Sequence, residues 1–412
     1  MHDSRLATPG ADGGTQGPIP AARPAPDSAV AHRRVVLFHV SVDWYFCLHW
    51  LPLARAVQAA GYDVALMTST TSPDLVDRIE SAGIRLHAIP LSRQGMHPLR
   101  EGRSLLAIRR VLRMERPALL HAIAQKPVLY GGLAARLALT PALVATLAGM
   151  GYVFTAETRR ARWLRALVVF GYRRLLARPR VRVIVQNPDD QAQLRRSAGV
   201  AAVLIRGAGV DLARFQPQPP PPGQVTIVLA SRMLWDKGIA EFVEAARRLR
   251  ADGVDARCVL VGKPDPDNPS AVPEWQLQAW HDSGAVHWWG HRADMPAVLA
   301  QAHIVCLPSY REGLPTILIE AAAAGLPLVA TDVPGCREVV RHERNGLLVP
   351  PRDALALSRA LGRLAGDAAL RTTYGGASRE LAVAELGIER VAEETLAVYR
   401  SLLGQAPGVG GR

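Results

Sequence analysis

Four side chains in the C-terminal half have the types and spacing to hold an anion that carries hydroxyls. Glu312 and Glu320 stand in Ser309 to Gly335, a stretch that reads as a strand end, a tight loop, a helix and the next strand. Glu312 lies in the loop beside Gly313, and Pro315 suits the first helical turn, so the backbone amides there are free to meet an anion. Glu320 is the only charged residue of the run TILIEAAAAG. A carboxylate buried in such a helix is costly without donors, and a ribose diol supplies two hydroxyls to one carboxylate. At the loop, Glu312 can take the hydroxyls of a bound sugar. The competing reading is plainer: a charge near a helix N-terminus and a glutamate on a solvated face. Against it stand Arg232 and Lys237, which follow the strand VTIVLA in SRMLWDKG and suit the clamping of a diphosphate. A further strand ending in Gly262 completes a series of strand ends that face one crevice.

The N-terminal half offers weaker candidates. Lys126 in AQKPVLYGG follows a strand pattern and could meet a phosphate, and His121 sits at the same strand end. A histidine there could act as a base, but no carboxylate stands at a telling spacing, so a satisfied structural residue is the alternative. Gly149 and Gly151 beside Tyr152 would let a sugar approach the backbone, although a turn explains them equally well. Between Thr158 and Val183 lie nine arginines and no acidic residue, interleaved with apolar side chains. Arg162, Arg165, Arg173 and Arg174 with Trp163 and Phe170 suit an anionic membrane surface, where each basic residue contributes about 1 kcal/mol. The alternative is an ordinary helix whose apolar face joins a core.

The elements that must position these groups alternate in period. VVLFHVSV, YDVALMTS, IRLHAIPL, PALLHAIA, PALVATLAG and VRVIVQN read as buried strands separated by helical stretches, the pattern of a doubly wound sheet. The prolines of residues 216–224 cannot continue a helix or a central strand, so they read as a stiff linker. After it VTIVLAS, ARCVLVG, AVHWWG, HIVCLPS, LPLVATD and GLLVP repeat the pattern. The expected organisation is a disordered tail over 1–32, an acceptor-binding Rossmann-like domain over 33–215, the linker, and a nucleotide-sugar-binding Rossmann-like domain over 225–385. A helix over 386–405 that returns toward the first domain and a tail over 406–412 complete it. Two such domains flanking a central cleft suit a ligand with two ends, because open α/β sheets bind at the carboxyl ends of their strands.

Composition narrows the class. The four cysteines are widely separated, with no CxxC or zinc-ligand spacing, so neither a disulfide framework nor a structural metal is expected and a reducing cytoplasm suits the chain. His281, His287 and His291 fall in a stretch that reads as a strand, so they would not share a helical face, and no metal is expected there either. The first 32 residues hold no apolar run of signal-peptide length, and no stretch of about eighteen apolar residues lacks a charge, so a soluble or peripheral protein is expected. The net charge of +13 points to an anionic partner: a phosphorylated substrate, a membrane surface or nucleic acid. An arginine-rich composition bias is the bland explanation. Nucleic acid is not expected, because the basic cluster accompanies an amphipathic apolar run. Other rivals are a phosphorylase or a nucleotide-sugar epimerase on a similar fold, and a scaffold that has lost turnover.

The chain after residue 33 resembles the retaining glycosyltransferases of family 4, whose fold is the two-Rossmann GT-B arrangement. The most specific mark is the pair of glutamates separated by seven residues in EGLPTILIE, supported by ASRMLWDKG, LVGKPD, SGAVHWWG and GVDLARF. Within the family it looks similar to bacterial enzymes that extend undecaprenyl-diphosphate-linked saccharides, among them α-1,3-N-acetylgalactosaminyltransferases of lipid-linked N-glycan assembly. The resemblance implies a UDP-sugar donor, no cofactor, and a lipid-linked saccharide acceptor reached at the inner face of the plasma membrane. It implies that Arg232 and Lys237 hold the diphosphate, Glu320 the ribose, and Glu312 with the backbone of Gly313 and Leu314 the transferred sugar. It favours Lys126 for the acceptor's phosphate. It further implies metal-independent transfer with retention by a front-face route, in which the leaving diphosphate helps deprotonate the acceptor. One departure stands out: many members carry a Gly-Gly loop after the first strand where this chain has SVDWYFCLHW, which puts Trp44, Tyr45 and Trp50 on the acceptor side.

Overall fold

The computed structural model describes residues 34–91, 98–149, 159–266 and 268–404. Gly151, Tyr152 and both tails lie outside the described residues. The first seven strands are β1 (Val35–Val42), β2 (Asp63–Ser69), β3 (Arg85–Ala88), β4 (Leu119–Ile123), β5 (Leu143–Leu147), β6 (Val181–Val185) and β7 (Val203–Leu204). They form one parallel sheet in the order β3-β2-β1-β4-β5-β6-β7. Six more, β8 (Val225–Ala230), β9 (Ala256–Val261), β10 (His287–Trp288), β11 (Ile304–Leu307), β12 (Leu328–Thr331) and β13 (Gly346–Val349), form a second parallel sheet. Its order is β10-β9-β8-β11-β12-β13.

Both orders reverse direction once, between β1 and β4 and between β8 and β11. At such a switch point the connections leave to opposite sides and open a crevice at the carboxyl ends of the strands. The strands are near-continuous apolar runs because helices cover both faces of each sheet. β4 and β5 are buried at every residue, and so are β11 and β12.

On one face of the first sheet the helices Pro98–Glu115, Gln125–Ala138 and Arg159–Leu175 cover a core that includes Leu37, Leu120, Ala145, Ile108, Val128 and Tyr172. The opposite face receives the helix Leu51–Ala59 and the C-terminal helix Ile388–Leu403, whose Val391, Ala392, Val398 and Tyr399 join Phe38, Leu53 and Leu66. Arg34 ties that last helix down through Leu403 O at 2.6 Å. The C-terminal helix thus completes the core of the first sheet although it follows the second in sequence.

Three local features differ from the sequence reading. No loop follows β1: the chain passes directly into helical Asp43–Tyr45, a π-helical stretch Phe46–Trp50 and the helix Leu51–Ala59. The fully buried Asp43 makes that passage possible, accepting hydrogen bonds from Trp44 N at 2.7 Å, Thr71 N at 2.5 Å and Thr71 Oγ1 at 2.6 Å. Second, β7 is a two-residue edge strand, too short to leave a periodic signature. Third, only His287–Trp288 of the histidine-rich stretch is strand, and His281 sits in the last turn of the helix Glu274–Asp282.

Candidate functional site

The second sheet builds the site from three loops. After β8 the chain turns through Arg232 to a 3-10 turn at Trp235–Lys237 and enters the helix Ile239–Ala251. Gly238, at φ +71°, joins the two, and a Cβ there would collide with Pro308 O. The segment after β9 pairs with this loop: Met233 N donates to Lys263 O at 3.1 Å, Trp235 N to Ser270 O at 2.8 Å, and Val272 N to Met233 O at 2.9 Å. Gly262, at φ +143°, allows the approach, since a Cβ there would overlap Ser231 O. The loop after β11 is fastened to the same turn by Tyr310 N, which donates to Asp236 O at 2.9 Å.

These turns bring one predicted pair into contact. Lys237 Nζ lies 2.5 Å from Glu312 Oε1, with the two side chains 20% and 11% exposed. Arg232 is on the same rim, its NH1 2.8 Å from Asp265 Oδ2. Each cation is therefore held by one carboxylate from a different loop. A diphosphate entering there would meet two oriented cations, at the cost of competing with Glu312 and Asp265 for them. Behind this rim, burial and the neighbouring Glu241 push the Tyr310 hydroxyl up to about 12, and the two share a hydrogen bond of 2.7 Å.

Glu320 stands apart from both ion pairs, one turn beyond Thr316 in the helix Thr316–Ala323. Burial pushes its carboxyl up to about 7, opposed only by the charge of Arg214. Its carboxylate makes no hydrogen bond among the described residues. A carboxyl group so placed is a strong acceptor for a pair of vicinal hydroxyls. Pro315 precedes the helix as its N-cap residue, and Leu314 packs with Ile319 around Gly207.

The first half contributes less uniformly. Lys126, in the first turn of the helix after β4, places Nζ 2.7 Å from Glu101 Oε1 and 5.3 Å from the ring centroid of Tyr130. Gly149, at φ +92°, faces the Glu312 loop so closely that an added Cβ would lie 3.2 Å from Gly313 Cα. Trp44 meets Tyr45 edge-on at 5.9 Å, and the Tyr45 hydroxyl, raised by burial, feels the charge of Arg232 from the other half. Trp50 is buried.

His121 requires a correction. It is wholly buried, with Nδ1 2.7 Å from Tyr399 OH and Nε2 2.7 Å from Thr146 Oγ1. Burial lowers its pKa to about 3, so the ring is neutral and both nitrogens are engaged inside the protein. It anchors the C-terminal helix to the first sheet and offers nothing to an acceptor.

On the helix Arg159–Leu175, Trp163 and Phe170 are 64% and 56% exposed, and Arg162, Arg173 and Arg174 are exposed beside them. Arg174 lies over the Phe170 ring at 5.0 Å, and Arg173 donates to Ser197 O at 2.7 Å. Arg165 is half-buried. Leu99, Leu106 and Met114 on the helix Pro98–Glu115 and Leu137 on Gln125–Ala138 are also exposed, on the same side of the sheet.

Four residues now prominent carried no functional signal in the sequence. Asp265 is one acidic residue among several in a turn-rich segment, and Asp43 follows a strand without a motif. His49 approaches from the first half with Nδ1 3.2 Å from Thr316 Oγ1, at the start of the helix that carries Glu320, and burial lowers its pKa to about 4. Asn187 donates to Gly313 O at 2.8 Å, and only its helix-cap signature, Asn-Pro-Asp-Asp, was visible.

Comparison with known proteins agrees with this architecture. Residues 35–178 match the family model described as glycosyl transferase 4-like, and residues 224–367 match glycosyl transferases group 1. The chain is similar to N,N'-diacetylbacillosaminyl-diphospho-undecaprenol alpha-1,3-N-acetylgalactosaminyltransferase of Campylobacter jejuni, 26% identical over 78% of this chain and 86% of the relative. It is also similar to the Escherichia coli UDP-Gal:alpha-D-GlcNAc-diphosphoundecaprenol alpha-1,3-galactosyltransferase, at 23% identity over 82% and 90%. Among solved structures, sucrose-phosphate synthase from Thermosynechococcus elongatus superposes with a TM-score of 0.73 at 22% identity, covering 90% of this chain and 99% of that one. Anabaena HepE, solved with UDP and glucose, gives 0.72 at 18% identity, covering 90% and 100%.

Proposed function

Because the chain belongs to the group 1 glycosyltransferases of the family 4 type, with the GT-B fold, we propose that it moves a hexose or N-acetylhexosamine from a UDP-sugar to a lipid-linked saccharide. The observation that carries the donor half of this reading is the contact between Lys237 and Glu312, made by two loops at the switch point of the second sheet. In this reading Arg232 and Lys237 bind the diphosphate and Glu320 the ribose diol. Glu312 and the Gly313–Leu314 backbone bind the transferred sugar, and Gly262 lets the Ser231–Arg232 backbone close on the end of β9 beneath the nucleotide. The Escherichia coli relative that uses UDP-Gal, and both relatives that act on undecaprenol-diphosphate-linked saccharides, support the nucleotide and the acceptor class.

The chemistry follows from charge. As the glycosidic bond forms between the acceptor oxygen and the anomeric carbon, the bond from that carbon to the phosphate oxygen breaks and negative charge grows on the diphosphate. Arg232 and Lys237 stabilise that charge from fixed positions, which is where the largest catalytic effect is expected. The acceptor proton passes to a phosphate oxygen of the leaving group, on the face it departs from, so configuration is retained. Two protein cations supply the positive charge, and the proposal requires neither a metal ion nor a cofactor.

On the acceptor side, Lys126 meets a phosphate of the lipid carrier, with Trp44 and the backbone at Gly149 lining the saccharide path. The basic, apolar helix Arg159–Leu175 rests on an anionic membrane, its Trp163 and Phe170 entering the interface at the cytoplasmic face. No helix among the described residues is long and apolar enough to cross a membrane. The test is turnover of UDP-, GDP- and ADP-sugars with polyprenyl-diphosphate saccharides, in EDTA, with the product's anomeric configuration read by NMR. An inverted product, or transfer abolished by EDTA, refutes the mechanism. Release of sugar phosphate from a glucan with inorganic phosphate would reassign the protein as a phosphorylase.

A further inference from the structure

The loop that carries Glu312 is held on both sides by the other half of the protein. Arg311 pairs with Asp190 Oδ1 at 3.5 Å, and Gly313 O accepts from Asn187 Nδ2 at 2.8 Å. Asn187 and Asp190 both belong to the first sheet's side: Asn187 follows β6 and caps the helix Pro188–Ala198, accepting from Asp190 N at 2.8 Å. Both are nearly inaccessible, at 0% and 3% exposure, and Asn187 Nδ2 also donates to Asp190 Oδ2 at 3.0 Å. Gly149 closes the third side, since a Cβ on Gly313 would lie 2.9 Å from Gly149 N and 3.0 Å from Ala148 O. From within the second half, Gly335 packs beneath, where a Cβ would lie 2.5 Å from Gly313 O.

Residues on either side of Glu312 are therefore tethered across the cleft, while Glu312 itself points to Lys237. We propose that Asn187 is a positioning residue: its amide fixes the Glu312–Gly313 loop in the geometry that receives the transferred sugar, so that the sugar subsite is complete only when the two halves meet. Capping the helix needs only a side-chain oxygen, for which Ser or Asp serves as well as Asn. Only the Asn amide both caps the helix and donates to Gly313 O. The cap therefore leaves the residue type open, and the amide's two donations, to Asp190 Oδ2 within the first half and to Gly313 O across the cleft, call for Asn.

This inference rests on the proposed donor site, and the experiment separates the two. Asn187→Ser and Asn187→Asp each keep a capping oxygen; Asp has no donor for Gly313 O and sets a second carboxylate against Asp190, and the single, shorter Ser hydroxyl held at the cap does not reach Gly313 O. Affinities for UDP and for the UDP-sugar that the wild type turns over, among UDP-galactose, UDP-glucose, UDP-N-acetylgalactosamine and UDP-N-acetylglucosamine, are measured by calorimetry alongside kcat and Tm. Misplacing a sugar-binding loop is expected to lower kcat by roughly tenfold to a hundredfold. UDP affinity should stay within about twofold, because Arg232 and Lys237 lie on the loop after β8 and Glu320 lies in the helix beyond the Glu312–Gly313 loop, and the UDP-sugar should lose its advantage over UDP. Arg311→Gln, which leaves the cap untouched, should shift the same ratio in the same direction even if the Asn187 variants fold poorly. Wild-type turnover in both Asn187 variants, or an equal loss for UDP and UDP-sugar, overturns the positioning role and leaves Asn187 as a cap. A wild-type protein that binds neither UDP nor any UDP-sugar overturns the donor-site reading, and the positioning role with it.

Discussion

Replacing Glu320 with Gln should stabilise the protein and weaken nucleotide binding at once. The carboxyl sits at about 7 in the folded protein against an ordinary value of 4.5, and burial is the cause. Its proton is therefore held more tightly in the folded chain than in the unfolded one. Below pH 4.5 both forms are protonated and the group is silent. Between 4.5 and 7 the unfolded chain loses its proton first, so stability falls as pH rises, and above 7 the full penalty of an ionised, buried carboxylate remains. At 1.36 kcal/mol per pKa unit, the rise from 4.5 to about 7 amounts to about 3 kcal/mol as an upper bound, because part of the side chain still reaches water.

Glu320→Gln removes the ionisation and keeps the shape. Thermal unfolding followed by circular dichroism from pH 4 to 9 should show the variant gaining on wild type as pH rises. The gain should level off above pH 7 at roughly 5–10 °C, given about 2–4 °C per kcal/mol for a domain of this size. Calorimetry on the same two proteins should show UDP binding weakened roughly tenfold to a hundredfold in the variant, since hydrogen bonds to an ionised acceptor are worth about 1.5–3 kcal/mol. Parallel pH curves would refute the argument from burial. Unchanged UDP affinity would refute the ribose assignment even if the curves diverge.

Lys237→Ala should lower transfer by about a hundredfold or more while Tm moves little, because the side chain's partner Glu312 is itself partly exposed and can solvate; turnover within tenfold of wild type would refute its role. Gly262→Ala should lower Tm sharply, since φ +143° and the overlap with Ser231 O leave no room for a methyl group, and a Tm equal to wild type would contradict that backbone path. Tyr399→Phe should cost about 1–3 kcal/mol by leaving one nitrogen of buried His121 without a partner, read as a lowered urea midpoint with unchanged UDP affinity. The double variant Trp163→Ala, Phe170→Ala should lose co-sedimentation with vesicles containing anionic lipid while keeping UDP affinity, and retained binding would move the membrane contact elsewhere.

The fold was legible because its signals are local and repeat. Apolar runs such as VTIVLA and HIVCLPS, each followed by a helical period, announce buried parallel strands without any knowledge of tertiary contacts. The burial of Glu320 was legible for a related reason: a lone charge in an apolar run has to be accounted for. Residues whose importance arises between elements were not legible. Asp265 and His49 have no periodicity or spacing that ties them to Arg232 and Thr316, and the pairing appears only when two loops distant in sequence close on one rim. His121 failed for the opposite reason. Its position at a strand end suggested the cleft, but the partner that buries it, Tyr399, arrives from a helix 278 residues later.

That return of the chain bears on how the two halves work together. The C-terminal helix leaves the second half at the π-helical segment Ala382–Leu386 and completes the first half's core, while Val210 N donates to Leu386 O at 2.9 Å and Ile388 N to Val210 O at 3.0 Å where the two segments run side by side. Arg206 pairs with Glu338 at 2.8 Å nearby. The chain thus crosses between halves twice, side by side, a geometry that permits bending about that pair of crossings. A hinge of this kind moves residues far from it the most, and Asn187, Gly149 and His49 meet the Glu312–Thr316 segment on the cleft side of the crossing. Small changes in hinge angle would therefore make or break the contacts that orient Glu312 while leaving Arg232, Lys237 and Glu320, all carried by the second half, in place. On the proposed donor site, nucleotide capture and sugar positioning would then be separable, and the contrast between UDP and UDP-sugar in the Asn187 variants would read the second apart from the first.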